Sequence, residues 1–78
     1  MAKLTATEVG KRLKEYRLAA KLSQTDIRKS SGLSKATISN MELGKHMPNS
    51  ATVDAYLAAI SRISNTELDR KVIFPELD

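Results

Sequence analysis

The chain contains no cysteine and no tryptophan, and only one histidine and one phenylalanine among its 78 residues. The missing cysteine removes disulfides and thiolate metal sites together. A lone His46 with no second ligand near it is a poor metal site. Aromatic residues make up 4% of the chain, so Val, Leu, Ile, Met and Ala must supply most of a small core. A small domain without such staples often leans on a partner subunit. No apolar run approaches the roughly 20 residues of a membrane span, and nothing resembles a signal peptide. The expectation is a cytoplasmic protein with no membrane partner. No repeat, linker or low-complexity segment appears, so residues 1–78 read as a single domain. There is no Gly-rich phosphate loop, and Ser, Asp and Glu show neither triad nor metal spacing. The chain is therefore not expected to be an enzyme, and no cofactor or metal is expected.

What the chain does have is unevenly placed positive charge. The net charge is +4. Residues 1–46 hold ten Lys/Arg and four Asp/Glu, a difference of +6, while residues 47–78 hold three and five, a difference of −2. That is the footprint of a domain with one end meeting phosphate and the other facing something else. A soluble basic protein with no partner would have the same balance.

The organising stretch is residues 23–44, which reads as two short helices meeting at a tight corner. Ser23 suits a first N-cap. Gly32 ends that helix because glycine takes the left-handed conformation without a Cβ penalty. Ser34 caps the second helix and Gly44 closes it. Ile27, Leu33, Ile38 and Met41 are the apolar residues that hold the pair at an angle. Lys35, Ala36, Thr37, Ser39 and Asn40 are left as a polar, cationic outer face with no carboxylate before Glu42. One cation, one amide, two hydroxyls and one methyl can match the donor, acceptor and methyl pattern of a DNA major groove. A merely solvated helical hairpin is the alternative.

On either side, Thr5 and Glu8 fit a capping box that opens a first helix over residues 6–21. Its stripe is Val9, Leu13, Tyr16 and Ala20. Gly10, costly inside a helix, points to close helix–helix approach. Lys11, Arg12 and Lys14 read as solvated. Pro48 forbids simple continuation after Gly44, which makes Lys45, His46 and Asn49 a loop of donors for phosphate or for water. Asn49 or Ser50 opens a fourth helix near residues 51–61, with Val53, Tyr56, Leu57 and Ile60 inward and the Tyr56 hydroxyl at the rim. Ser64 and Glu67 fit another capping box, so a short fifth helix is expected over residues 65–70, docked by Ile63 and Leu68. The apolar, β-favouring tail of Val72, Ile73, Phe74 and Pro75 either covers its own core or meets a second subunit. An exposed cluster of that size favours the subunit contact, with residues 62–78 as a dimer or partner surface.

Over most of its length the chain resembles the lambda-repressor-like, Cro-type helix-turn-helix family, also called the XRE family. The residues that carry the likeness are Gly10, Lys11, Arg12, Leu13, Arg17, Leu22, Ser23, Gln24, Asp26, Ile27, Gly32, Leu33, Ser34, Thr37, Ile38, Ser39, Met41, Glu42, Gly44, Lys45 and Pro48. The resemblance implies an all-α, compact five-helix domain whose third helix enters the major groove. It implies base contacts at Lys35, Ala36 and Asn40, flanked by Thr37 and Ser39. It implies phosphate contacts at Ser23, Lys45, His46 and Asn49, and at Gln24 either a phosphate contact or bracing of a reading residue. It also implies a structural ion pair between Arg17 and Glu42. Arg28 and Ser31 depart from the pattern, standing where a small residue and a buried aliphatic are usual. The glycine usual before the last helix is absent near Ser61 and Arg62.

The function expected from this is a sequence-specific, double-stranded-DNA-binding regulator, a repressor acting as a homodimer on a palindromic operator. The C-terminal contact would involve Leu68, Val72, Ile73 and Phe74. The competing expectation is an antitoxin-type protein that grips a toxin through the C-terminal third and also regulates its own operon.

Overall fold

A computed structural model of the chain describes residues 5–68, 73 and 74. Four helices are present among them: α1 (Ala6–Ala19), α2 (Gln24–Ser31), α3 (Lys35–Leu43) and α4 (Ser50–Ser64). No described residue is in a strand.

Local chemistry sets the helix starts. The hydroxyls of Thr5, Ser23 and Ser34, and the Asn49 side-chain carbonyl, each accept from the amide three residues on, at 2.8–3.1 Å. Each thus satisfies one of the orphan donors of a helix N-terminus. At Ser23 the box is reciprocal, because the Asp26 carboxylate accepts from the Ser23 amide at 2.9 Å. Helix ends are set by left-handed residues. Gly32 and Gly44 have φ of 79° and 73°, and Asn65, at φ 56°, ends α4. Asn65 fills the role of the glycine missing near Ser61 and Arg62.

Several boundaries differ from expectation. α1 stops two residues early, because Ala20 caps it and Lys21 turns left-handed at φ 61°. α4 runs three residues past Ser61, and Ser64 belongs to its last turn, donating to the Ile60 carbonyl at 2.5 Å. Ser64 therefore cannot cap a fifth helix. Asn65 to Leu68 are not helical, and the rest of that expected helix lies outside the described residues. Ile63, expected to dock it, is exposed. The C-terminal strand is not supported either, since Ile73 is helical and Phe74 lies in no regular element.

The core joins Val9 and Leu13 of α1, Ile27 of α2, Ile38 and Met41 of α3, and Val53, Tyr56, Leu57, Ala59 and Ile60 of α4. On α1 the third buried position falls to Arg17, one residue on from the expected Tyr16, which is 39% exposed. Gly10 is where α1 and α3 close on each other. A methyl there would strike the Met41 carbonyl oxygen and lie 2.9 Å from that of Glu42. Ile73 and Phe74 complete this same core, and Phe74 is 0% exposed. That corrects the expectation of a subunit contact at these two side chains, which the chain's own core has already taken. Arg12 holds the segment in place and is not simply solvated. It donates to the Ile73 carbonyl at 3.0 Å and sits 5.6 Å above the Phe74 ring. Leu68 is half-buried against the core, and Val72 lies outside the described residues.

Candidate nucleic-acid interface

Helix α3 presents two faces of opposite character. Ile38, Met41 and Glu42 are buried, while Lys35, Ala36 and Thr37 are exposed and Ser39 and Asn40 half-exposed. All five expected reading residues thus share one accessible surface. Leu43 belongs to it as well, four and seven residues being the spacings of one helical stripe from Ala36 through Asn40. At 63% exposed it is the most exposed large apolar side chain described. Its position on that stripe is visible in the sequence, but an apolar residue near the core pattern masks it.

The helix has a single carboxylate, and it points inward. Glu42 receives a two-pronged ion pair from Arg17, with Nε to Oε2 at 2.8 Å and Nη2 to Oε1 at 2.9 Å. Two further donors complete it. The Tyr56 hydroxyl donates to Oε2 at 2.5 Å, and the Gln24 amide to Oε1 at 3.1 Å. Burial alone would raise the Glu42 carboxyl. The hydrogen bonds from Arg17, Tyr56 and Gln24 overcome it and hold the group below the ordinary carboxylate range. The Glu42 bond pushes the Arg17 guanidinium up against the opposing cost of burial. Burial, reinforced by the adjacent carboxylate, pushes the Tyr56 hydroxyl well up, so it stays a donor. The remaining Arg17 donor, Nη1, reaches the Leu22 carbonyl at 2.8 Å and so closes the corner between α1 and α2. The expected ion pair is therefore formed, but two of its partners were not foreseen. The expectation for Tyr56 is a hydroxyl at the rim, whereas the group is buried. Gln24 braces a buried carboxylate and not a reading residue.

Around α3, the expected phosphate-contacting residues fall in two places. Ser23 and Gln24 lie at the start of α2, where the capping box satisfies the Asp26 amide and leaves those of Gln24 and Thr25 without intrahelical partners. Lys45, His46 and Asn49 lie in the exposed loop after α3. There His46, Met47, Pro48 and Asn49 meet Thr37, Met41 and Thr52 around a cleft of about 200 Å³. Asn49 spends its carbonyl on capping α4 and keeps its amide N–H groups for donation. The Thr37 hydroxyl accepts from Ser34 at 2.8 Å and keeps its own proton. The two departures from the family pattern are accommodated locally. Arg28 is exposed, and the half-buried Ser31 hydroxyl accepts from the Leu33 amide at 3.1 Å.

Away from this surface, Tyr16, Ala19, Ala20, Ile60, Ser64, Thr66 and Leu68 line a shallow groove of about 350 Å³. It is formed by the ends of α1 and α4 and the residues that follow. No described group of three or more His, Cys, Asp or Glu is placed to hold a metal ion. No helix among the described residues is long and apolar enough to cross a membrane.

A family model described as a helix-turn-helix domain matches residues 8–70. Comparison with curated proteins and with solved structures gives no match. The family match stops short of Ile73 and Phe74, so two core residues lie beyond the part of the chain that it covers.

Proposed function

Because the chain belongs to the helix-turn-helix domain family, we propose that it is a sequence-specific double-stranded-DNA-binding regulator, acting as a homodimeric repressor on a palindromic operator. One observation carries this reading. The single carboxylate of α3 is turned inward and neutralised by Arg17, leaving an outer face of cation, amide, hydroxyl and methyl groups. A major groove is walled by phosphates, and a helix with an outward carboxylate would be repelled there. On this face Lys35 donates to guanine O6 and N7, Asn40 pairs with adenine N6 and N7, and the Ala36 methyl meets a thymine methyl. Thr37 and Ser39 flank these contacts.

Phosphates are met by Ser23, Gln24 and the bare amides at the start of α2, and by Lys45, His46 and Asn49 in the loop. These contacts set register and supply most of the affinity. A twofold dimer places the two copies of α3 about one helical turn apart on the duplex. With Ile73 and Phe74 in the core, the subunit contact on this proposal uses Leu68 and its groove neighbours Tyr16 and Ala20. Blocking polymerase sterically is the simplest outcome of occupancy.

Selection of bound duplexes from a random pool at stated salt tests the proposal. Enrichment of two inverted half-sites is expected. Asn40→Ala should then flatten preference at one base position in each half-site, costing about 1–3 kcal/mol on the selected sequence. Lys45→Ala should weaken all sequences alike and reduce the salt dependence. A pool that shows no enrichment, or an Asn40→Ala loss equal on every duplex, would sink the reading.

A further inference from the structure

Each of the other three helices sends a donor to the one carboxylate of α3. Arg17 comes from α1, Gln24 from α2 and Tyr56 from α4. The α4 bond differs from the others in its setting. α3 packs chiefly on α1 and α2 and touches α4 little, yet the Tyr56 hydroxyl crosses to Glu42 Oε2 at 2.5 Å. Four donors now occupy the four acceptor directions of the carboxylate, two on each oxygen. The apolar contacts of Ile38 and Met41 hold α3 down, but they have no direction and resist rolling weakly. A saturated carboxylate two residues from Asn40 fixes the helix about its own axis. Base-edge hydrogen bonds need the reading groups held to about 0.5 Å, which packing of a nine-residue helix does not by itself ensure.

We infer that Tyr56 is a positioning residue for DNA discrimination, acting through Glu42 to set the rotation of α3. The inference rests on the DNA-reading proposal above. It assigns specificity to a residue buried at 0% exposure, on a helix that need not approach a base.

The test compares the parent with Tyr56→Phe on the selected duplex and on a scrambled duplex at one salt concentration and neutral pH. The variant loses one hydroxyl and keeps the ring. Its expected behaviour is unchanged binding to scrambled DNA and an unchanged salt slope. Affinity for the selected duplex should fall about tenfold, the size of one charge-assisted hydrogen bond. A purely stabilising hydroxyl would instead leave discrimination untouched in the folded variant, and that result overturns the inference. A second probe guards against loss of fold: 3-fluorotyrosine inserted at position 56 alone, which keeps the ring and a donating hydroxyl. It should retain the parent's discrimination between the two duplexes, and a loss equal to that of Tyr56→Phe counts against Tyr56. If the parent itself does not tell the two duplexes apart, the DNA-reading proposal fails and this inference with it. If the parent does and Tyr56→Phe does so equally well, only this inference fails.

Discussion

In the proposed function, Glu42 is the residue on which α3 turns from a solvated helix into a reading element. Were its carboxylate outside, it would repel phosphate; inside and unpaired, it would cost several kcal/mol. Arg17, Tyr56 and Gln24 resolve both problems at once. The arrangement has a pH signature with a definite sign. The unfolded carboxyl titrates near the ordinary value of 4.5, and the folded one lies below it. Above that range both states are ionised and the network contributes in full. As pH falls through it, the unfolded chain takes up the proton first and stability is lost until the folded carboxyl follows. The exposed Asp26 carboxyl, held down by the Ser23 amide and hydroxyl, has the same sign. Denaturant unfolding from pH 7 to pH 3 should therefore show falling stability for the parent. Glu42→Gln leaves the Arg17 guanidinium buried without its counter-charge, so the variant should start about 3–5 kcal/mol lower and fall less steeply. Parallel curves for the two proteins would show that Glu42 is not the titrating group.

The elements are joined by a close approach at Gly10 and a set of caps. Gly10 lets α1 lie against the α3 backbone at Met41 and Glu42, and this seats the Arg17–Glu42 pair. Gly10→Ala should favour an isolated helix by about 1 kcal/mol. In the protein the methyl meets backbone that cannot give way, so the net effect should be destabilising by about 1–3 kcal/mol, read as a lower thermal midpoint. A raised midpoint would mean that α1 and α3 are not in backbone contact. Much at this scale was legible in the sequence. Ser23, Gly32, Ser34 and Gly44 each have a local chemistry that marks a helix end, and the apolar spacing of Ile27, Ile38 and Met41 marks the inner side. What was not legible depends on partners far along the chain. The Tyr56 hydroxyl is one case, bonded to a group 14 residues away. Arg12 is another, bonded to a carbonyl 61 residues away. A left-handed Asn65 outweighed the local capping pattern of Ser64 and Glu67, because α4 gains a further turn by continuing to Ser64. The exposure of Lys35, Ala36, Thr37, Ser39 and Asn40 was legible, since it follows from the inner stripe.

For the whole molecule, the core is closed by residues at the far end of the chain. Phe74 belongs to the core cluster that α1, α2, α3 and α4 share, and Arg12 sits over its ring. A domain this small has little stability to spare. Phe74→Ala should cost about 3–5 kcal/mol in denaturant unfolding, the range for emptying a buried aromatic site. A cost below about 1 kcal/mol, the size of an ordinary surface change, would return the tail to the surface and revive it as a subunit contact. With Ile73 and Phe74 inside, the described residues present a cationic polar surface at α3 and a groove between the ends of α1 and α4. The proposal assigns the first to DNA and the second to a second copy. Backbone amide chemical shifts of labelled protein, titrated with the selected duplex, distinguish the two surfaces directly. The account predicts the largest changes at residues 35–40, with smaller ones at 23–25 and 45–49 and little at Tyr16 or Thr66 beyond those due to dimerisation alone. Changes centred on the groove, with the outer face of α3 unmoved, would contradict it.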